Sequence, residues 1–229
     1  MAVLKKIHWD AVTPQMRDLL EFIGRQPFSQ RFYLAGGTAL ALRLGHRYSV
    51  DLDFFSETDE ILRPTRREIL QSLTSYSPEA IEDVDGNLLL LVPVLSVAKR
   101  SRLRVGFFGY GYRLLQAADT VENVAVASIV DIGLMKLDAL ISRGSRKDFY
   151  DLYFITQQIS LSELLALGKS KYPYARDFEL MAVESLLMFE NADRDLQPDM
   201  VTHITWETVR DFFISEARKL AQHWFGNKE

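Results

Sequence analysis

Two aspartates that alternate along one predicted strand are the residues best suited to chemistry. Asp51 and Asp53 flank Leu52, and side chains two residues apart on a strand point to the same face. Two carboxylates on one face can jointly bind a hard divalent cation such as Mg²⁺. An isolated Asp-x-Asp pair more often lies on a solvated edge strand. Here Val50 and Phe54 are expected on the side opposite the acids, which favours a central strand whose paired acids need a compensating charge.

A pair of glycines precedes the acidic strand and could bind an anion. Residues 32–35 are typical of a short buried strand, and Gly36-Gly37 follows it directly. After the glycines, a helix rich in alanine and leucine is predicted from Thr38 to a stop at Gly45. Glycines let a backbone approach a ligand closely, and the first turn of a helix offers free N–H groups to a phosphate. The same pattern also fits a plain tight turn, with Thr38 as no more than a helix cap.

A third group of charged residues lies on two predicted helices in the second half of the chain. Asp148 and Asp151 are three residues apart and Lys147 and Asp151 are four apart, so they are neighbours on a helix surface. Taken alone, such a group is typical of ordinary surface ion pairs, which contribute little to stability. Lys136 differs because its helix is rich in leucine and must be largely buried. A lysine there either extends its amine to solvent or meets an anion.

The surrounding pattern predicts an α+β half followed by a mainly helical one. Thr13 and Pro14 begin the first predicted helix, and another follows Pro64. Between residues 81 and 108 we expect strands that are interrupted at 85–86 and at 99–102. From Ser128 onward, with Asp131 completing a capping box, the pattern is helical, and further helices are expected at 147–157, 161–167, 178–189 and 207–224. We therefore expect an α/β core over residues 1–125 and a helical part over 126–229 that packs on it.

Composition excludes several other kinds of protein. The 229 residues, 48% of them hydrophobic, can bury a sizeable core. The sequence has no cysteine, which excludes disulfides, thiolate zinc sites and a cysteine nucleophile. No apolar run is long enough to predict a membrane span or a signal peptide, so we expect a cytoplasmic protein without a membrane partner. The net charge of −4 offers no global attraction to nucleic acid, and any RNA contact would need a local patch.

With these motifs in place, the sequence resembles the nucleotidyltransferase superfamily, whose signature is a Gly-Gly-Ser/Thr turn followed by an Asp-x-Asp strand. More narrowly, it resembles the AbiEii type of abortive-infection toxin nucleotidyltransferases. The stretches 34–40 and 47–55 are nearly the pattern of that family. A later family pattern, a lysine-bearing helix followed by a basic residue and Asp-x-x-Asp-Leu, is similar to residues 135–137 and 146–152. The resemblance implies a mixed β-sheet of the nucleotidyltransferase fold flanked by helices, followed by a helical C-terminal part.

The same resemblance implies metal-dependent transfer of a nucleotide from an NTP to an acceptor, such as the 3′ end of a tRNA. It also implies a toxin whose activity an antitoxin protein restrains. Asp51 and Asp53 would bind Mg²⁺ or Mn²⁺. The residues that would contact the nucleotide are Gly36, Gly37, Thr38, Ser49, Lys136, Lys147 and Asp148. Besides the two metal-binding acids, Lys136 and Asp151 would have catalytic roles, with Asp151 either orienting Lys136 or assisting deprotonation of the attacking hydroxyl.

One position departs from the superfamily pattern. Nucleotidyltransferases commonly supply a third carboxylate from a later strand, and the matching stretch 103–108 has Gly106 where that acid is expected. Asp83 or Asp85 could replace it from a neighbouring strand. Without a third acid, an alternative is a nucleotide-binding or regulatory protein that keeps the fold without turnover. A purely structural module that uses the helical half is a further alternative.

Overall fold

The computed structural model describes residues 2–95 and 100–225. The chain divides into two compact units, Met1–Ser128 and Ile129–Glu229. The first unit contains a mixed seven-stranded sheet with helices, and the second is mainly helical. The predicted α+β class with a helical C-terminal part is therefore confirmed.

The sheet places the acidic strand at its centre. Its strands lie in the order β3-β4-β5-β2-β1-β7-β6, so that β2 is fourth of seven. Strand β2 pairs antiparallel with β1 on one side and parallel with β5 on the other. The central position predicted for the acidic strand is therefore confirmed. The strands are β1 (Tyr33–Ala35), β2 (Asp51–Ser56), β3 (Glu79–Val84), β4 (Asn87–Leu95), β5 (Arg100–Gly109), β6 (Asp119–Val121) and β7 (Val124–Val126).

Three α-helices of the first unit lie where local signals predict helices, although the second begins at Gly36, two residues before its predicted start at Thr38. The helices are α1 (Pro14–Gly24), α2 (Gly36–Leu44) and α3 (Arg63–Ser72). The Thr13 hydroxyl accepts a hydrogen bond from the backbone N–H of Met16 at 3.2 Å, which caps α1 as predicted. Helix α2 ends at Gly45, whose φ of 62° is left-handed and suits glycine.

Alternation along β2 separates an apolar face from an acidic one. On the apolar face, Phe54 stacks on Phe107 of β5 with ring centroids 5.0 Å apart, and both are buried. Val50, which we predicted on this buried side, is instead 65% exposed. The reason is that β2 begins only at Asp51, while the backbone N–H of Ser49 bonds to the Ala11 carbonyl outside the sheet. The alternation therefore does not extend to Val50.

The next three strands form a meander that ends beside β2. The predicted break at 85–86 is confirmed as the turn between β3 and β4, where Gly86 has a φ of 91°. The second predicted break, at 99–102, is wrong for residues 100–102, which belong to β5, while Lys99 lies outside the described residues. The arginines there alternate with apolar residues: Arg102 and Arg104 are exposed, whereas Leu103 and Val105 are buried. A strand period of two therefore outweighs the turn signal.

The second unit is built around one buried helix. Its helices are α4 (Ile129–Ser142), α5 (Arg146–Ile155), α6 (Leu161–Ala166), α7 (Gly168–Lys171), α8 (Phe178–Ser185), α9 (Glu190–Arg194) and α10 (Trp206–Phe225). Most residues of α4 are buried, and the chain turns at Gly144 with a φ of 56°, as predicted. Asp131, predicted to complete a capping box, accepts a hydrogen bond from the fully buried Lys171 at 2.9 Å. Within residues 2–95 and 100–225, none of the helices has the length and apolar composition needed to cross a bilayer.

Candidate active site

The two aspartates of β2 lie on one face, as their spacing predicts. Asp51 and Asp53 are half-buried, and Leu52 between them is 1% exposed. In the sheet, the register partners of Asp53 are Ala35 on β1 and Gly106 on β5. Because both partners are small, the carboxylate is not covered by a bulky side chain of a register partner.

Glycines flank the Asp53 carboxylate on both sides. Gly36 has a left-handed φ of 67°, and a Cβ atom there would lie 3.2 Å from Oδ2 of Asp53. A Cβ atom at Gly106 would lie 3.3 Å from Oδ1 of the same carboxylate. Neither glycine therefore carries a side chain that would crowd the Asp53 carboxylate.

The first turn of α2 adjoins this carboxylate and has the chemistry of an anion site. Its N-cap is Ala35, whose side chain cannot accept a hydrogen bond, and Gly36 and Gly37 are its first two residues. The N–H groups of a first helical turn lack partners within the helix, and the helix dipole is positive there. The contribution of these glycines to nucleotide binding stays a prediction.

Two hydroxyl groups connect this turn to the acidic strand. Thr38 and Ser49 are 2% and 6% exposed, and their Oγ atoms are 2.8 Å apart. The Thr38 hydroxyl also donates to the backbone carbonyl of Asp51. Since a hydroxyl has one proton to donate and Thr38 donates it to Asp51, a contact between Thr38 and a phosphate would use the backbone N–H of Thr38.

Arg47 belongs to this region, although it was not among the predicted site residues. It is 6% exposed, and a Cβ atom at Gly37 would overlap its guanidinium. Its Nη1 donates to the Tyr48 carbonyl at 3.0 Å. A buried guanidinium against the glycine turn adds positive charge where a phosphate is predicted. The sequence signal was a cation between the turn and the acidic strand, but its burial could not be read from spacing.

The position expected for a third carboxylate carries no acid and is partly covered by a ring. Gly106 is the register partner of Asp53, so a side chain there would point to the acidic face. A Cβ atom at Gly106 would overlap the ring of Phe108. Asp83 and Asp85 are not near this position: both pair with Arg66, and their strand region is separated from β2 by β4 and β5. Neither of these two acids therefore replaces the missing carboxylate.

In the second unit, Lys136 holds two buried aspartates. Its Nζ lies 2.8 Å from Oδ1 of Asp148 and 2.6 Å from Oδ2 of Asp151. Asp148 also accepts two hydrogen bonds from Arg143, at 2.8 and 2.9 Å, and one from the Ser145 hydroxyl at 2.5 Å. We name these five residues the α4/α5 cluster. Lys136 therefore meets anions of its own unit rather than extending its amine to solvent.

The cluster keeps Asp148 ionised. Burial alone would raise the pKa of this carboxyl group, but the charges of Lys136 and Arg143 and their hydrogen bonds outweigh burial and hold the pKa well below its usual range. Both Asp148 oxygens accept hydrogen bonds from protein donors. These bonds hold Asp148 against Lys136 and Arg143, and its predicted contact with a nucleotide stays a prediction. Lys147, the other predicted nucleotide contact on α5, is exposed.

The acids of β2 fit a cation that binds together with a nucleotide. In the part of the chain that the structure describes, no group of three or more metal-ligating side chains is arranged to hold a metal ion. Asp51 and Asp53 supply two carboxylates, whereas Mg²⁺ prefers six oxygen ligands and usually takes the rest from phosphates and water. Two acids beside a turn suited to phosphate would provide the protein share of such a coordination sphere.

Two solved structures from Helicobacter pylori are similar in fold. A candidate nucleotidyltransferase superposes with a TM-score of 0.51 at 18% identity, covering 93% of this chain and 96% of that one. JHP933 superposes with a TM-score of 0.50 at 16% identity, covering 93% of this chain and 99% of that one. At these identities the likeness concerns the fold alone.

Similarity in sequence extends over almost the whole chain. The uncharacterized protein aq_aa25 of Aquifex aeolicus (strain VF5) is 32% identical over 213 residues, which cover 91% of this chain and 97% of that protein. The family model described as nucleotidyl transferase AbiEii toxin, type IV TA system, matches residues 17–224. The glycine turn, the acidic strand and the α4/α5 cluster all lie within that match. The chain therefore belongs to the AbiEii nucleotidyl transferase toxin family of type IV toxin–antitoxin systems.

Proposed function

We propose that this protein transfers a nucleotide from an NTP to a hydroxyl group of an RNA, such as the 3′ end of a tRNA. The observation that carries the proposal is the placement of Asp51 and Asp53 on a central strand, directly beside the glycine turn that opens α2. Family membership supports the reaction class. In this proposal the protein acts in the cytoplasm as a toxin that an antitoxin protein counteracts.

Different residues around β2 bind different parts of the donor nucleotide and its metal ion. The N–H groups of Gly36 and Gly37 bind phosphate oxygens, and Arg47 adds positive charge behind them. Asp51 and Asp53 hold Mg²⁺ or Mn²⁺. When bound, the metal supplies charge that polarises the α-phosphate and stabilises the departing pyrophosphate. Ser49 and Thr38 fix the start of β2, so that Asp51 is held in place before the nucleotide binds.

The transfer step exchanges one phosphorus–oxygen bond for another. The acceptor hydroxyl oxygen bonds to the α-phosphorus as the bond to pyrophosphate breaks, and the hydroxyl proton passes to water. For Lys136 we propose neutralisation of phosphate charge. Its ion pair with Asp151, at 2.6 Å, favours the orienting role for Asp151 over deprotonation of the acceptor.

Labelled nucleotides test the proposed reaction directly. Purified protein with Mg²⁺ and each α-labelled NTP should label total RNA or tRNA, and Asp51→Ala should abolish the labelling. Asp83→Asn is the matched control, because Asp83 lies on the same sheet but pairs with Arg66. Full labelling by Asp51→Ala, or transfer to no acceptor, would overturn the proposal.

A second candidate function is nucleotide binding without turnover. The observation that favours it is Gly106, which leaves the acidic face with two carboxylates and the ring of Phe108. Calorimetry distinguishes the two functions, because this candidate expects millimolar or tighter NTP binding that depends on Asp51 and Asp53, alongside undetectable transfer. Robust transfer to any acceptor would remove it.

A further inference from the structure

A row of side chains on β5 runs beside the acids of β2. Strands β5 and β2 are parallel, and Arg104 is the register partner of Asp51, as Gly106 is of Asp53. Register partners point to the same face of a sheet, and alternate residues of one strand do so as well. We name the residues of this face the β5 row: Arg102, Arg104, Gly106 and Phe108.

The first half of the β5 row is cationic and accessible. Arg104 is exposed, and within residues 2–95 and 100–225 its guanidinium has no hydrogen-bonding or ion-pair partner. Arg102 pairs with Glu79 at 2.7 Å, but the two side chains are 57% and 59% exposed. Such an exposed ion pair is weak and can be exchanged for a phosphate. Both arginines therefore offer planar, permanent positive charge along one edge of the acid site.

The second half of the β5 row is aromatic and reaches toward Asp53. The half-buried ring of Phe108 extends over Gly106, into the space that a side chain at position 106 would share with Oδ1 of Asp53. Phe55 of β2 supports this ring at a centroid distance of 5.1 Å. Tyr110 in turn contacts Phe55 edge to face at 5.5 Å. An aromatic surface thus lies where other nucleotidyltransferases resembling this sequence place an acid.

Cations followed by a ring on one strand are suited to a single-stranded nucleic acid. Arginine binds backbone phosphates in a bidentate way, and aromatic rings stack on unpaired bases of any sequence. The outward side chains repeat every ~6.7 Å along a strand, so one row can contact successive chemical groups of the same chain. A duplex hides its base faces and could use only the arginines.

The β5 row and the glycine turn lie on opposite sides of the acidic strand. Strand β2 lies between β1 and β5, and the glycine turn extends from the end of β1. Phosphoryl transfer needs the attacking and leaving oxygens roughly in line across phosphorus. With the triphosphate on the β1 side, the acceptor hydroxyl has to approach from the β5 side.

We propose, on the basis of the function proposed above, that the β5 row binds the single-stranded 3′ end of the acceptor RNA. Arg104, assisted by Arg102, binds backbone phosphates, and Phe108 stacks on the terminal nucleoside. This arrangement holds the 3′ hydroxyl beside Asp53. At the position where a third carboxylate is expected, Gly106 and Phe108 thus form an acceptor-binding surface instead.

Binding of RNA tests this proposal separately from catalysis. The probe is a 5′-fluorescent single-stranded RNA about 12 nucleotides long, measured by anisotropy with the full chain at several salt concentrations. We expect Arg104→Gln and Phe108→Leu each to weaken binding on the order of tenfold. Arg104→Gln should also lower the slope of log K against log salt by about one, whereas Phe108→Leu should leave that slope unchanged.

Matched variants control for charge and for packing. Arg67→Gln removes an exposed arginine of α3, and Phe212→Leu removes a half-buried ring of α10. Both should bind the probe as the unchanged protein does. A DNA probe of the same sequence and a blunt RNA duplex complete the set, and the duplex should bind more weakly than the single strand.

Steady-state kinetics of transfer then distinguish an effect on acceptor binding from an effect on donor binding. We expect Arg104→Gln and Phe108→Leu to raise KM for the acceptor RNA about tenfold with little change in KM for the NTP. An increase in KM for the NTP alone, unchanged RNA binding in both variants, or a protein as preferred acceptor would overturn this inference. In each of these cases the loss of transfer in Asp51→Ala still reports on the proposed function by itself.

Discussion

The acids of β2 and the acids of the α4/α5 cluster have the same chemistry in opposite surroundings. Asp51 and Asp53 are half-buried, and glycines flank the Asp53 carboxylate. Asp148 and Asp151 are fully buried and held by Lys136. A half-buried carboxylate flanked by glycine can be reached by a ligand, whereas a fully buried one needs its counter-charge inside the fold. We therefore expect ligand binding at β2 and a positioning role for Asp148.

The largest expected effect is at β2, where a substitution should abolish most nucleotide transfer without lowering stability. Asp53→Asn keeps the size of the side chain but removes a metal-binding charge, so transfer should fall about 1000-fold. The urea midpoint should change much less than transfer does, because the side chain keeps its size and is only half-buried. Radiolabel transfer and urea unfolding of the same preparation check both statements. Marked unfolding would show that Asp53 is structural.

Unlike Asp53→Asn, Lys136→Met should lower the free energy of unfolding. The substitution leaves Asp148 and Asp151 buried without their lysine, and breaking a buried pair in this way costs about 3 to 5 kcal/mol. Urea unfolding measures the loss, with Lys169→Met, an exposed lysine of α7, as control. Adding Asp151→Asn should recover part of it. Equal stability of Lys136→Met and the control would contradict a paired, buried lysine.

The stability of the fold should also respond to acid through Asp148. Asp148 has a pKa below its ordinary value of 3.8, so its ionised form stabilises the fold above that pH. The contribution is lost as pH falls through the lowered pKa. The urea midpoint of the unchanged protein should therefore decline below about pH 4, and Asp148→Asn should decline less steeply from a lower starting value. Parallel curves for the two proteins would contradict the lowered pKa.

Local patterns predict most of the elements that carry these residues. Thr13 and Pro14 fix the start of α1, and the alternation of acids with Leu52 fixes the orientation of β2. Such signals depend on neighbours in sequence, so they can be read without knowing the fold. The family pattern likewise placed the glycine turn ahead of the acidic strand.

Long-range contacts could not be predicted in the same way. The register that sets Gly106 beside Asp53 depends on β5 pairing with β2 about fifty residues away. The burial of Arg47 and the four hydrogen bonds to Asp148 depend on side chains that meet only in the folded unit. Two local predictions were also wrong. The alternation of β2 was extended to Val50, which lies before the strand, and a turn was predicted at residues 100–102, which belong to β5.

Gly106→Ala tests the space beside Asp53 by a smaller change. The new methyl group would overlap the ring of Phe108, and crowding of this kind costs typically about 1 to 3 kcal/mol. Combining it with Phe108→Leu should relieve part of that cost, because leucine is shorter than the ring. A double-mutant cycle in urea measures the coupling. Additive effects would mean that the ring does not occupy this space.

The smallest expected effect distinguishes positioning from ligand contact at the edge of the β2 site. Ser49→Ala removes one hydroxyl from the Thr38 pair but leaves the Thr38 bond to the Asp51 carbonyl. A lost buried hydrogen bond of this kind costs about 1 kcal/mol, and KM for the NTP should rise only a few-fold. If Ser49 instead contacts the nucleotide directly, KM should rise on the order of tenfold while the urea midpoint stays unchanged. Ser49 lies between the glycine turn and Asp51. This pair of measurements therefore decides whether the β2 site, like the α4/α5 cluster, contains a side chain that only positions its neighbours.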